Sequence, residues 1–242
     1  MKIQFSYLLK NRVRRLLFMI LVGTMIYALL GIINAPTDAV SPSGESYHIL
    51  VKADYVQILI KCLLGLVVMT LPGLIETSQR VDLPEALEIL YFVFLFMAIF
   101  LGSIRNFYER VPHWDTVLHF FSSMMLGFFG FYLVAMLNTS KRVPLYMTPL
   151  FVAFFSFCFT MMIGVLWEIY EFVIDGAFIQ NMQRFTLEDG TLLVGRAALN
   201  DTMMDFVVNG IGALAVSVWG YGHLKKKGLL PGMKDFWMTG DD

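Results

Sequence analysis

Residues 149–174 read PLFVAFFSFCFTMMIGVLWEIYEFVI, and this stretch decides the fold. Its first charged side chain is Glu168. A helix rises ~1.5 Å per residue and the hydrocarbon layer is ~30 Å thick, so about 20 mostly apolar residues cross a membrane. The run is long enough to span. It then closes on Trp167-Glu168-Ile169-Tyr170-Glu171-Phe172-Val173-Ile174-Asp175, where three carboxylates appear at i, i+3 and i+7. That spacing gives them one helix face.

Working outward, the chain repeats the pattern. Spans are predicted near residues 16–33, 55–74, 87–104, 115–137 and 201–221, which with 149–174 makes six. Alternating strands with regularly spaced turns are absent, which argues against a β-barrel. Of the 242 residues, 57% are hydrophobic and 15% are charged, and the mean hydropathy is +0.67. An ordinary soluble domain carries about 25% charged residues, and one of this size has too little interior to hide so much apolar surface. The fold class expected is all-α, a polytopic membrane helix bundle of about six transmembrane helices. Residues 1–242 are read as a single integral membrane domain.

Lys and Arg orient the array. Lys2, Lys10, Arg12, Arg14 and Arg15 precede the first span. Lys141 and Arg142 lie between the fourth and fifth, and Lys225, Lys226, Lys227 and Lys234 follow the sixth. An N-in/C-in topology puts all of these in the cytoplasm, leaving Lys52, Arg105, Arg110, Arg184 and Arg196 on the other side. The basic start resembles a secretory signal, but the apolar run is long and Pro36 follows Ala35, so a retained first helix is expected. The segment 34–54, with Pro36, Ser41, Pro42, Ser43 and Gly44, is read as an irregular outer loop. Residues 176–200 form a second outer loop and 224–242 a cytoplasmic tail. No internal repeat or low-complexity tract is present. The net charge of -1 offers no broad polyanion surface, so no nucleic-acid partner is expected. Cys62 and Cys158 fall inside apolar runs and read as small hydrophobes, not as a disulfide or zinc framework.

Ionisable residues inside spans are costly and mark candidate sites. The fourth span begins Trp114-Asp115-Thr116-Val117-Leu118-His119, so Asp115 and His119 share a face. The sixth begins Asn200-Asp201-Thr202-Met203-Met204-Asp205, with Asn209 one turn further on. Glu168, Glu171 and Asp175 close the fifth. With alternating spans, all three stripes fall at the same, extracytoplasmic, end. The sixth span must begin near Asp201 to be long enough, which puts Asp205 roughly 6 Å and Asn209 roughly 12 Å below the surface at ~1.5 Å per residue. Such groups need the bundle interior or a water-filled pocket. Asp54, Gln57 and Lys61 on the second span can join from the same end, and Arg105, Arg110, His113 and Arg196 are nearby cations.

Three chemistries fit these residues. Carboxylates and imidazole at helical spacing suit a divalent metal such as Zn, Mn, Mg or Fe, with His119, Glu168 and Asp205 as ligands, although no His-Glu-x-x-His signature is present. Acid–base chemistry on a lipid-borne substrate is the second, with an envelope lipid or isoprenoid-linked precursor of the outer leaflet as the ligand. A proton- or ion-coupled carrier is the third, opposed by the few polar residues in the cytoplasmic half. A purely structural ion-pair network is the alternative to all three. Sharper enzyme patterns are absent. Asp201-x-x-x-Asp205 has the wrong spacing for a lipid-headgroup phosphotransferase, no Ser-centred nucleophile elbow occurs, and no lipid-phosphatase set of Lys, Arg and two His is found. The Phe-rich runs at 92–100, 120–131 and 151–159 are read as lipid-facing or packing surface. Trp114 and Trp167 read as interfacial anchors, and Gly127, Gly130, Gly210 and Gly212 as sites of close helix approach.

Trp114-Asp115 with His119-Phe120, Trp167-Glu168 with Glu171 and Asp175, and Asp201-Thr202 with Asp205, Asn209 and Gly212-Ala213 resemble the YjdF-like bacterial inner-membrane family over residues 12–224. That family has no known function. More distantly, residues 104–222 resemble VanZ-like proteins. The second resemblance implies counterparts in Asp115, His119, Glu168, Arg196, Asp205 and Asn209, and an envelope role of the kind linked to glycopeptide-antibiotic resistance. Thr116 stands where VanZ-like proteins often have Lys, and Glu171 where they often have Gln. The expectation is therefore a bacterial inner-membrane protein with an outward polar site that binds or processes an envelope lipid or related outer-leaflet ligand. Its residues are Asp115, His119, Glu168, Glu171, Asp201, Asp205 and Asn209, with Arg196 as the anion anchor.

Overall fold

The computed structural model describes residues 2–37, 50–79, 81–139, 147–178, 180–187 and 189–227, and nearly all of them are helical. The expected readings for the loop within 38–49, for Lys141 and Arg142, and for 228–242 lie outside the described residues. Among the described residues, six helical stretches are long and apolar enough to cross a membrane: Ser6–Asn34, Lys52–Ser78, Glu85–Ile104, Trp114–Leu137, Pro149–Phe178 and Asn200–Lys226. Large apolar side chains lie outside and ionisable ones inside, the reverse of a water-soluble core. Phe154 is 63% exposed and Phe172 69%, whereas Glu168 is 3% and Asp205 3%. Only a hydrocarbon solvent makes that arrangement favourable.

The elements in chain order are α1 (Lys2–Asn34), α2 (Lys52–Val68), α3 (Leu71–Gln79), α4 (Glu85–Leu95), a π-helical stretch (Phe96–Ile104), α5 (Phe107–Arg110), α6 (Trp114–Thr139), α7 (Pro149–Phe178) and α8 (Asn200–Lys227). The first helix begins well before residue 16 and α7 runs on to Phe178, into the expected loop, and three further features differ from the sequence reading. The span expected at 55–74 is interrupted after Val68, because Pro72 has no N–H to donate and its ring crowds the carbonyl of Val68. The chain turns at Met69-Thr70, where the Thr70 hydroxyl donates to the Val67 carbonyl at 2.7 Å. The π-helical stretch was not anticipated, and its register shows in Arg105 N–H donating to Phe100 O, five residues back, at 2.9 Å. Residues 224–227, expected in the tail, continue α8 instead, because Leu224 is buried in the core that α8 shares with α6 and α7.

The chain divides into two compact units, Met1–Trp114 and Asp115–Asp242. In the first, α1 packs on α2 and α4. Leu17, Leu21, Phe92 and Leu95 form its centre, and a buried Lys10–Glu88 ion pair links α1 to α4. The Tyr91 hydroxyl donates to the Val68 carbonyl at 2.7 Å, one of those freed where α2 ends. Cys62 is buried as a small apolar group.

In the second unit α7 and α8 pack along their length. α6 is locked to both by small residues. The Ser156 hydroxyl donates to the Gly127 carbonyl at 2.7 Å, joining α7 to α6. Gly212 faces Ser123 so closely that a Cβ there would fall 2.0 Å from the Ser123 Oγ. Phe131, Val134, Val152, Val216 and Leu224 fill the space between the three helices. Among the described residues the only extended pairing is an isolated antiparallel bridge between Thr186 and Leu192.

Candidate functional site

The second unit brings the three polar stripes together at one end. α6 presents Asp115 and His119 from its first turns, α7 presents Glu168, Glu171 and Asp175 from its last, and α8 presents Asp201, Asp205 and Asn209 from its first. The convergence follows from antiparallel succession, since the α6 start, α7 end and α8 start share one end of a three-helix unit.

His119 is the centre. Its Nε2 lies 3.6 Å from Asp115 Oδ1, 3.8 Å from Asp205 Oδ2 and 3.9 Å from Glu168 Oε1. One imidazole nitrogen thus faces carboxylates from all three helices. The Asn209 amide lies against the same ring, and it has room because Gly164 carries no side chain: a Cβ there would meet Asn209 Nδ2 at 2.8 Å. His119, Glu168, Glu171, Asp205 and Asn209 are all buried.

Few of these oxygens are satisfied. Glu171 Oε1 accepts a hydrogen bond from the Trp167 indole N–H at 2.9 Å. Both oxygens of Glu168, and one each of Glu171, Asp201 and Asp205, are buried with no hydrogen-bond partner among the described residues. The Gln183 amide donates to the Thr202 hydroxyl at 3.0 Å and, at 3.4 Å, to the backbone carbonyl of Glu168, and both side chains lie close enough to the Glu168 carboxylate to ease its charge, which leaves the Glu171, Asp201 and Asp205 oxygens as the ones without help. Native interiors rarely leave acceptors in this state without a bound ion, a proton or water.

Asp175 is the exception, and it shapes the loop above the site. Its two oxygens accept the Met182 and Gln183 N–H groups at 2.8 and 2.9 Å. The loop then folds on itself. Asn181 and Thr186 exchange two hydrogen bonds, Leu193 N–H donates to Phe185 O at 2.8 Å, and Gly190 takes a left-handed φ of 83° at the tip. The Thr191 N–H on the Asp189 carboxylate holds that exposed group below the usual carboxylate range. Arg184 leaves this loop in a left-handed conformation, φ 48°. Its guanidinium reaches 3.9 Å from both Asp115 Oδ2 and Asp201 Oδ1.

The charge balance is uneven. Six carboxylates (Asp115, Glu168, Glu171, Asp175, Asp201 and Asp205) face one guanidinium, which sums to −5 if every acid is ionised. Low-dielectric surroundings do not hold such an excess without added cations or protons. Asp115, His119 and Asp205 each offer a ligand atom within 4.8 Å of the other two. Ligands around a tetrahedral ion with ~2.0–2.1 Å bonds sit about 3.4 Å apart, so the two His119 distances need to close by a few tenths of an ångström, and the two carboxylates by up to about 1.4 Å, for the three residues to share one cation. Glu168 is within the same reach of His119 Nε2.

The sequence-predicted residues Asp115, His119, Glu168, Glu171, Asp201, Asp205 and Asn209 are therefore gathered in one cluster. Arg196 lies exposed in the turn before α8, and the cation seated against the cluster is Arg184. No spacing rule singles out Arg184, because its position depends on how Asp175 folds the loop. Asp54, Gln57, Lys61, Arg105 and Arg110, read as possible contributors, line a cavity within the first unit. There Asp54 accepts the Val51 N–H at 2.9 Å as a helix cap, and Lys61 donates to the Ser103 carbonyl at 3.0 Å.

An uncharacterised protein of Thermotoga maritima is 25% identical over 146 residues, which cover 60% of this chain and 67% of that one. No solved structure matches. A family described as "Predicted membrane protein (DUF2238)" matches residues 46–226, a segment that holds five of the six spans and every residue of the cluster. By that match the chain belongs to the DUF2238 family of predicted membrane proteins.

Proposed function

We propose that this multi-pass membrane protein holds a divalent cation between α6, α7 and α8 and uses that centre to bind, and turn over, an envelope lipid or related ligand. One observation carries the reading: a single imidazole nitrogen is faced by carboxylates from three helices, amid buried Glu171, Asp201 and Asp205 oxygens with no hydrogen-bond partner among the described residues. His119, Asp115 and Asp205 are the proposed ligands, with Glu168 as a fourth donor or as the acid–base group beside the ion. A cation there would polarise a phosphoryl or carbonyl oxygen or lower the pKa of a bound water. Asn209 orients the imidazole, Glu171 and Asp201 add negative potential, and Arg184, with Arg196 further out, receives an anionic headgroup.

The N-in/C-in orientation belongs to this proposal. It rests on Lys10, Arg12, Arg14 and Arg15 in the N-terminal turns of the first spanning helix and Lys225 and Lys226 at the end of the last. With it the cluster opens to the outer leaflet of a bacterial inner membrane, where envelope lipids are handled. The YjdF-like resemblance accords with the family match. The more distant VanZ-like resemblance rests on the same Asp115, His119, Glu168, Asp205 and Asn209 and supports an envelope role. Against a carrier, the Ser123, Ser156 and Thr160 hydroxyls deeper in the unit each donate to a backbone carbonyl, so they do not supply a ready proton path.

The test is the metal content of the full-length protein purified in detergent, wild type beside Asp205→Ala and His119→Ala. Roughly stoichiometric metal in the wild type that is lost in both folded variants is the expected result. A folded wild type without metal overturns the cation centre and leaves protons as the counter-charge, in a carrier or a structural network.

A further inference from the structure

The first unit holds a cavity of about 650 Å³ between the second half of α1, the first half of α2, the end of the π-helical stretch and the segment 105–110. Its walls differ in chemistry. Met19, Ile20, Ile58, Phe100 and Ile104 make one side apolar, while Gln57, Lys61, Arg105 and Arg110 make the other polar and basic. We propose that this cavity is a second ligand site, one that takes the phosphate headgroup of an anionic membrane lipid with its first acyl carbons along the apolar wall.

Lys61 is the reason. It lies nine residues into the span that begins at Lys52, about 13 Å along the helix axis at ~1.5 Å per residue. An ammonium at that depth is costly unless it has a partner and marks a ligand path by default. Its one hydrogen bond among the described residues goes to the Ser103 carbonyl at 3.0 Å. That carbonyl belongs to the last turn of the π-helical stretch, where acceptors are left over, and an ammonium has three N–H donors. The bond therefore fixes Lys61 across the cavity while leaving it capacity for an anion. Arg105 and Arg110 are exposed at the mouth. Asp54, the only acid among the described residues of the lining, is engaged as the α2 cap through the Val51 N–H. Three cations against one carboxylate leave the described lining at +2.

The two walls select the ligand together. A soluble anion would be served by the basic wall alone, and an apolar tail by the other alone. A cavity inside the spans with both matches a phospholipid, whose phosphate suits Lys and Arg donors and whose chain suits the apolar wall. Gly23 leaves a stretch of that wall open, since a Cβ there would meet nothing within 4 Å.

The test measures binding of phosphatidylglycerol and of phosphatidylcholine with identical chains to the full-length protein in a neutral detergent, by native mass spectrometry. Phosphatidylglycerol is expected to bind about tenfold more tightly, and Lys61→Gln or Arg105→Gln to weaken it by roughly tenfold each, the size of a lost charge-assisted hydrogen bond. Gly23→Phe, which alters no charge, should displace the lipid by filling the apolar wall. Arg12→Gln, a cation off the cavity, should change nothing. Equal affinity for the two lipids overturns the proposal, as does unchanged phosphatidylglycerol binding in Lys61→Gln combined with Arg105→Gln. Complete displacement of the lipid by millimolar inorganic phosphate would overturn the lipid as the ligand and assign the cavity to free phosphate.

Discussion

Replacing Gly212 with Ala should loosen α8 from α6 and, through that, the cluster one turn above it. The added Cβ would lie 2.0 Å from Ser123 Oγ, 3.1 Å from the Phe120 carbonyl oxygen and 3.2 Å from Ser123 Cβ. Non-bonded heavy atoms settle near ~3.5 Å or beyond, so the contact with Oγ is too short by more than an ångström. Ser123 is 1% exposed and its hydroxyl donates to Phe120 O at 2.8 Å. Swinging the hydroxyl away gives up that bond, about 1 kcal/mol, and forcing the helices apart adds the usual overpacking cost of about 1–3 kcal/mol. Gly210→Ala is the internal control. It shares the gain in helix propensity, about 1 kcal/mol, and its Cβ meets only the Met161 sulfur at 3.9 Å. The two variants should differ by about 2–4 kcal/mol, roughly a 30- to 900-fold shift in the unfolding equilibrium. Unfolding in mixed micelles of increasing dodecyl sulfate, followed by far-ultraviolet circular dichroism, measures the difference. Ser123→Ala on the Gly212→Ala background removes the worst contact and should restore at least half the loss. If Gly212→Ala proves as stable as Gly210→Ala, or if Ser123→Ala restores nothing, the packing argument is refuted.

Three further outcomes follow from the geometry. Asp175→Ala removes the acceptor for the Met182 and Gln183 N–H groups, so limited proteolysis at Arg184 should speed up by tenfold or more while the helical content of α7 stays the same. Arg184→Gln removes the guanidinium 3.9 Å from Asp115 and from Asp201. Because that side chain is 41% exposed, water-like screening applies, and cation affinity should rise by about fivefold, or about 1 kcal/mol; a fall in affinity would show that Arg184 organises the ligands instead of opposing the ion. Lys10→Met strands the buried Glu88 carboxylate and should cost about 3–5 kcal/mol, read as a drop in thermal stability, whereas Lys10→Met with Glu88→Met should recover most of it.

The spans were legible because hydrocarbon imposes one requirement, about 20 apolar residues, that a reader can count. The stripes were legible for a related reason. Asp115 with His119, Glu168 with Glu171 and Asp175, and Asp201 with Asp205 and Asn209 repeat at three or four residues within runs that exclude charge everywhere else. The fine geometry of the helices was less visible. Pro72 signals a break, but whether the chain turns at Met69 or merely kinks depends on what receives the freed carbonyls, here the Thr70 and Tyr91 hydroxyls. Nothing in FMAIFLGSI announces a π-helical stretch. Its place correlates with the Tyr108 ring, which lies where a side chain at Gly102 would stand, 2.5 Å from its Cβ position.

The cations show where sequence reading stops and why. Arg184 and Arg196 sit in the same inter-span segment, both with the charge an anion anchor needs, and composition gives no reason to prefer either. What separates them is tertiary. Asp175 accepts two successive backbone N–H groups seven and eight residues ahead of it, which turns the chain back over the α7 end and delivers Arg184 to Asp115 and Asp201. Arg196 lies beyond the Thr186–Leu192 bridge, in an exposed turn. A carboxylate that looks like a third member of the α7 stripe thus acts on the backbone, while its neighbour Glu171 keeps a buried oxygen without a hydrogen-bond partner among the described residues. The same spacing rule produced all three, and only the loop decides which of them is left to meet a cation. That division sorts the stripe by role: the loop that satisfies Asp175 also brings the Gln183 amide and the Thr202 hydroxyl beside Glu168, and leaves the second Glu171 oxygen, one turn further along, without a hydrogen-bond partner among the described residues.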